Sequence, residues 1–348
     1  MKKSLFLAFA VLVAVSVFVG VQYQTVAEPA IETSAFAEAA VLGVSNLEMV
    51  EKISAEWKTS DKAFAQVSTP ITNSPGQREG CTHCHNGMVF ASGVHTNGVV
   101  GDHMTGLNCQ ACHTGTGEEL MKAGKLNVSM RHFTGTYIKS DFTEGKAGKG
   151  ALCITCHSGR RDPATNLKGY IAGTNGMAYS HYGQGPIIFG QGAMPIEGVT
   201  FKTSSAHASI QDSCVACHMS DTKDGYASHS FKMNKDNVAT ACGTCHTGAK
   251  DFDINGVQTD MYKKLNIVYD EIKKFSGAAE VRTSGSTGFT FHKADGTAIA
   301  YKPTPAQYTL MYNWYLVKGD KSKGVHNPQY LKSVLSESYK AVTGKGLW

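Results

Sequence analysis

Cys214-Val215-Ala216-Cys217-His218 is one of five copies of a single pentapeptide pattern in this 348-residue chain. The others are Cys81-Thr82-His83-Cys84-His85, Cys109-Gln110-Ala111-Cys112-His113, Cys153-Ile154-Thr155-Cys156-His157 and Cys242-Gly243-Thr244-Cys245-His246. Each reads C-x-x-C-H, and together they account for all ten cysteines. The spacing suits covalent haem: one short turn presents both sulfurs to the vinyl edge of a porphyrin, and the next side chain swings under the iron. Zinc sites usually join two C-x-x-C pairs into one tetrahedron, which five pairs cannot do evenly. A disulfide framework predicts scattered cysteines, and none lies outside the motif. The cofactor expectation is five haem c groups, with His85, His113, His157, His218 and His246 as proximal iron ligands.

The motifs are organised. The first cysteines of the first two motifs, and those of the last two, are 28 residues apart in each case. Two similar haem pairs therefore flank the Cys153 motif, as in a duplicated two-haem unit. His95 and His229 follow His85 and His218 at nearly equal intervals and are nominated for the same role. Nine histidines lie outside the proximal set, an excess beside five motifs. Neutral imidazole is a common iron ligand, so most irons are expected to carry two histidines. The distal candidates are His95, His132, His181, His207, His229 and His326. Six candidates exceed five irons, so at least one has another role or serves a neighbouring molecule. His83 inside a motif, His103 just before one and His292 in an expected hairpin rank lower. Met194, Met219 and Met233 are the competing sixth ligands, and a thioether would raise the potential.

Met1-Lys2-Lys3 followed by the apolar run Leu5–Val21 reads as a secretory signal over 1–27, with small-residue cleavage sites at Ala27 and Ala37. An uncleaved anchor is the alternative, and the membrane is a partner only in that case. The chain is expected outside the cytoplasm, in the periplasm or at the cell surface. The formal charge of +5 does not imply nucleic acid. Five haems would add about −10 through ionised propionates.

Residues 28–80 form a lead-in segment with a helix near Leu47–Trp57. Residues 81–250 hold every motif and are rich in Gly, Ser, Thr and Asn, the composition of loops and short helices. Haems rather than aliphatic side chains must supply much of that core. The glycine-rich stretch Tyr170–Gly198 is expected to wrap a haem. Residues 251–348 change character. Val257, Met261, Leu265, Val268, Ile272 and Phe275 fall at helical intervals. Phe289–Tyr301 alternates around Asp295-Gly296 as a β-hairpin. Thr304-Pro305 and Asn327-Pro328 each start a further helix. The fold expected is mainly α with long irregular loops, a haem-packed core, C-terminal helices and a small β-hairpin.

Asp212-Ser-Cys-Val-Ala-Cys-His-Met219, Ser228-His229-Ser-Phe-Lys-Met233, Leu152–Arg160 and Gly324-Val325-His326-Asn327-Pro328 resemble segments of the multihaem cytochromes related to ammonia-forming nitrite reductase and octahaem hydroxylamine-type enzymes. The resemblance spans about residues 75–343 and implies their architecture and haem wiring, with the His326 position a distal ligand. Those nitrite reductases carry a lysine-ligated haem, whereas this chain has no C-x-x-C-K. A second resemblance is to extracellular multihaem cytochromes that polymerise into conductive filaments. The expected function is electron transfer between a quinol-linked donor and a terminal acceptor, in which a homo-oligomer or filament is compatible. The alternative is an oxidoreductase acting on a small nitrogen or sulfur species at one five-coordinate haem. Arg160, Arg161, Tyr182 and Gln184 are the first suspects for such a pocket, with pairing to haem propionates as their other reading.

Overall fold

The computed structural model describes residues 45–67, 69–78, 80–93, 105–126, 146–284 and 288–348. The signal segment with its cleavage sites, and the candidates His95, His103 and His132, lie outside these residues. Helix α1 (Asn46–Thr59) covers the lead-in helix read from the sequence. Four of the five motifs then lie on short helices: α2 (Thr82–His85), α4 (Cys109–His113), α6 (Ala151–Cys156) and α9 (Cys214–His218). A helical turn is what C-x-x-C-H needs, because positions three and four apart share one face. The fifth motif makes the same turn outside a named helix, with the His246 N–H donating to the Cys242 carbonyl at 2.8 Å.

Polar caps set these turns. Asn86 accepts from Met88 N and Val89 N to start α3 (Gly87–Ser92), and Asn108 accepts from Ala111 N at 3.1 Å to start α4. Helix α5 (Gly115–Ala123) follows, and Asp162 caps α7 (Pro163–Ile171) with Pro163 in its first turn. Phe90, Ala111, Leu120, Leu126, Ala147, Ala151 and Ile154 pack between the first three motifs as a small apolar cluster. The third and fourth motifs abut directly. A Cβ on Gly150 would lie 2.8 Å from the Ser213 Cβ, and Lys149 N donates to Asp212 Oδ1 at 2.9 Å. The remaining short helices here are α8 (Gln184–Ile188) and α10 (Val238–Ala241).

The main apolar core is C-terminal. Helix α11 (Val257–Ser276) buries Met261, Leu265, Val268 and Ile272, four members of the expected stripe. The hairpin is one part of a larger sheet: strand β1 (Glu280–Ser284) pairs antiparallel with β2 (Gly288–His292), which pairs with β3 (Ala298–Ile299). Helix α12 (Pro305–Gly319) is capped by Thr304, whose side chain accepts from Gln307 N while Gln307 reaches back to Thr304 N. Helix α13 (Pro328–Thr343) is capped by Asn327 and buries Leu331, Val334 and Leu335. Met194, a competing ligand by sequence, is fully buried in this aliphatic and aromatic cluster. No helix among the described residues is long and apolar enough to cross a membrane.

Residues 170–204 run over α12 and α13 with little regular structure, so their buried backbone groups need other partners. The C-terminal helices supply them. Tyr308 Oη accepts from Ala178 N at 2.8 Å and donates to Ala178 O at 3.1 Å. Asn313, wholly buried, accepts from Met194 N at 2.7 Å and donates to Met194 O at 3.0 Å. Tyr330 Oη accepts from Ala193 N, and Asn327 Nδ2 donates to Ile188 O and Ser204 O. Asn313→Leu strands both Met194 backbone groups, at about 1–3 kcal/mol each. The variant should lose about 3 kcal/mol of stability in guanidinium unfolding followed by circular dichroism. Ser338→Ala removes only a hydroxyl partner of Asn313 and should cost about 1 kcal/mol or less.

Candidate functional site

Four of the five motif histidines converge with histidines distant in sequence. His85 faces His181 with ring centroids 6.3 Å apart, and His113 faces His229 at 6.2 Å. His218 faces His326 at 6.1 Å, and His246 faces His207 at 6.4 Å. A metal–imidazole bond is about 2.0 Å, and a ring centroid lies about 1 Å behind its ligating nitrogen, so two imidazoles opposed across one metal stand about 6 Å apart. The four separations fit that arrangement, and each pair includes one histidine that directly follows a cysteine pair. His181, His207, His229 and His326 are the four described members of the six distal candidates. His229 stands opposite the second motif of the first pair, and not beside its own motif.

In five of these histidines the second ring nitrogen is held by the protein. His207 Nδ1 donates to Val325 O at 2.7 Å, His218 Nδ1 to Phe231 O at 3.1 Å and His229 Nδ1 to Ala227 O at 2.6 Å. His157 Nδ1 donates to Gln184 Oε1 at 3.0 Å. His326 Nδ1 donates to the buried Asp320 carboxylate at 2.6 Å. Each such bond selects the tautomer that leaves Nε2 free as a ligand. Burial, with Arg160 next, pulls His181 down to about 4. Burial, with Lys62 next, pulls His157 down to about 4. Both rings are therefore neutral near pH 7, as metal ligation requires. His326 goes the other way: burial works against it, but the Asp320 charge raises it above the ordinary imidazole value.

His157 differs in its surroundings. Among the described residues no imidazole is opposed to it at the separation of the other four. Its ring meets the edge of Tyr182 at 6.0 Å, and Tyr182 in turn meets His181 at 4.9 Å. A backbone bridge between Gly159 and His181 ties the two segments together. Arg160, with φ of 65°, is held in this bridge, half-buried, and its charge acts on both His85 and His181. The thiols are also close across motifs, Cys156 to Cys84 and Cys153 to Cys214. The third motif thus touches the first and the fourth.

Two positioning elements escaped the sequence reading. Glu56 of α1 accepts from His229 N at 2.8 Å and from Ser228 Oγ, fixing the His229 loop from the lead-in helix. The segment from Gly319 to His326 serves several imidazoles. Gly319 O accepts from Gln184 Nε2 at 3.1 Å, Asp320 holds His326, and Val325 O holds His207. The candidates ranked lower by sequence are elsewhere: His292 bonds Gly296 O and Thr290 Oγ1 within its hairpin, and His83 is buried in α2.

The sequence family described as cytochrome c552 matches residues 197–345, and that described as cytochrome c554 and c-prime matches residues 46–114. The first covers the last two motifs with the C-terminal helices, the second covers α1 with the first two motifs, and the third motif lies between them. No curated protein matches the chain. A solved structure described as the outer cell wall cytochrome OcwA is similar in fold, with a TM-score of 0.50 and 19% identity over 82% of this chain and 49% of that one. This chain thus spans about half the length of that structure. With both ends of the described region matched by cytochrome families and the same motif repeated through the middle, the chain is a multihaem c-type cytochrome that binds haem c covalently.

Proposed function

We propose that the protein carries five haems and relays electrons through them outside the cytoplasm, between a quinol-linked respiratory donor and a terminal acceptor. The observation that carries this reading is the set of four opposed imidazole pairs at 6.1–6.4 Å. In it, Cys81/Cys84, Cys109/Cys112, Cys153/Cys156, Cys214/Cys217 and Cys242/Cys245 form the thioethers. The axial pairs are His85/His181, His113/His229, His218/His326 and His246/His207, with His157 the proximal ligand of the fifth haem. Haem supplies one-electron ferric/ferrous chemistry, and two imidazoles leave no coordination position for a substrate. The protein's hydrogen-bond acceptors orient five of these rings and set the charge around them. The contacts of the third motif with the first and fourth favour an order in which the His157 haem joins the two duplicated pairs.

A second reading has its own support. His157 faces Tyr182 and Gln184, with Arg160 nearby, and its sixth ligand is not assigned among the described residues; His95 and His132 are the remaining candidates. An oxidoreductase acting on a small nitrogen or sulfur species at that one haem is consistent with this. Export is supported by the N-terminal signal pattern, and assembly with a second copy by the surplus of histidines.

Anaerobic optical titration of the holoprotein with nitrite, hydroxylamine and cyanide separates the two readings. Electron transfer alone predicts no spectral change at any haem; binding at one haem in five would move catalysis to first place. His326→Ala should convert one low-spin haem to high-spin by EPR, and an unchanged spectrum would remove His326 from the ligand set. Asp320→Asn tests the anionic partner of that ring. The carboxylate draws the Nδ1 proton, makes the imidazole a stronger donor and stabilises ferric iron. The amide should therefore raise the midpoint of one haem in a potentiometric titration and leave the others in place.

A further inference from the structure

Helix α1 carries no buried residue, yet its C-terminal end and the turn after it are pinned from two sides. Trp57 Nε1 donates to Leu107 O at 3.1 Å, and Leu107 N donates to Lys62 O at 2.8 Å. The backbones approach so closely that a Cβ on Gly106 would lie 2.6 Å from Lys62 O. Lys62 is thereby fixed to the segment that enters the second motif. From the other side, Glu56 accepts from His229 N, and Lys232 Nζ donates to Thr59 O. The turn is a bracket between the first pair of motifs and the second.

Lys62 is half-buried and makes no ion pair among the described residues. Its Nζ stands 5.2 Å from the Phe231 ring centroid, a cation over an aromatic face. Phe231 in turn meets two proposed ligands. Its ring centroid lies 6.2 Å from that of His229, and its carbonyl accepts from His218 Nδ1 at 3.1 Å. The ammonium therefore stands between the His113/His229 and His218/His326 pairs. Its charge also acts on Cys112, on Cys153 and Cys156, and on His157 and His218. Those groups belong to the second, third and fourth motifs, whereas His85 and His181 feel Arg160.

We propose that Lys62 raises the reduction potentials of the three haems that meet around it, those of the second, third and fourth motifs. The inference rests on the electron-transfer reading above. Reduction removes one positive charge from an iron, and a fixed cation nearby favours the form with less positive charge. A half-buried charge is screened less by salt than an exposed one, so the effect reaches past its immediate contacts. An electron at this junction is thereby lowered in energy relative to one on the first or fifth haem. Charge entering from either end is drawn to the middle of the protein, where the His157 haem joins the two pairs.

The test is a potentiometric titration of the holoprotein, followed in the visible haem bands and fitted as one-electron steps. Lys62→Met should lower the ferrous-to-ferric ratio of three haems at a fixed potential by about three- to ten-fold, or about 30–60 mV. The other two midpoints should stay in place, and EPR should show the same low-spin haems as in the wild type. Lys62→Arg keeps the charge and should keep the midpoints. Lys58→Met, the same charge change at an exposed lysine of α1, should move none of them. Should Lys62→Met fail to fold, Lys62→Gln is read in the same way. Unmoved midpoints, an equal fall in all five haems, an equal fall in Lys58→Met, or a fall in Lys62→Arg as large as in Lys62→Met overturns the assignment. Wild-type protein that gives no reversible one-electron steps would instead sink the electron-transfer reading, whereas reversible steps that Lys62→Met leaves in place overturn the role of Lys62 alone.

Discussion

An imidazole can ligate a metal with one nitrogen only if the other is satisfied and aimed, and this constraint organises the protein. The C-x-x-C-H turn fixes a proximal histidine locally, but nothing local fixes the ring that must face it. In this chain three of the four facing rings are aimed by hydrogen bonds: His207 by Val325 O across the fold, His229 by Ala227 O with its backbone N–H held by Glu56, and His326 by Asp320. The opposed separations of 6.1–6.4 Å at His113, His218 and His246 depend on those bonds holding. Losing one lets a ring rotate away from the place where the proposed iron needs it.

The C-terminal helices matter for the same reason. Their apolar core of Met261, Ile272, Leu310, Leu331 and Leu335 is ordinary, and its burial stabilises the unit in the usual way. Their polar side chains do something more specific. Asn313, Tyr308, Tyr330 and Asn327 complete the backbone hydrogen bonds of residues 178–204, the irregular segment that carries His181 and Gln184. That segment would otherwise bury unpaired peptide groups. The loop after α12 then reaches back to His157, His207 and His326 through Gly319, Val325 and Asp320. Carbonyl or amide oxygens accept from His157, His207, His218 and His229, while a carboxylate accepts from His326. The rings are thus oriented alike but not charged alike, which gives the protein a means of separating haem potentials.

Local signals were legible in the sequence and long-range ones were not. The motifs, the α11 stripe and the starts at Thr304-Pro305 and Asn327-Pro328 are read from neighbouring residues, and the structure has them where expected. The distal candidates could be nominated because histidine is in excess beside the five motifs, but their partners could not. His181 and His85 lie in different segments, brought together by the Gly159–His181 bridge, which leaves no periodic trace. The nearly equal spacing of His95 and His229 from the preceding motifs nominated both for one role, but did not show that His229 faces His113. Strand β1 was missed because Glu280-Val281-Arg282-Thr283-Ser284 is short and mostly polar, and its pairing with β2 is what makes it a strand. Glu56 carried no signal at all, being one acid on a surface helix until the His229 loop closes on it.

The most direct test of this account is a census of axial ligands in the oxidised holoprotein by near-infrared magnetic circular dichroism, calibrated against total haem. The proposed pairs require at least four of five haems to show the charge-transfer bands of two axial imidazoles. A spectrum dominated by methionine–histidine bands, or by two or more high-spin haems, would contradict it.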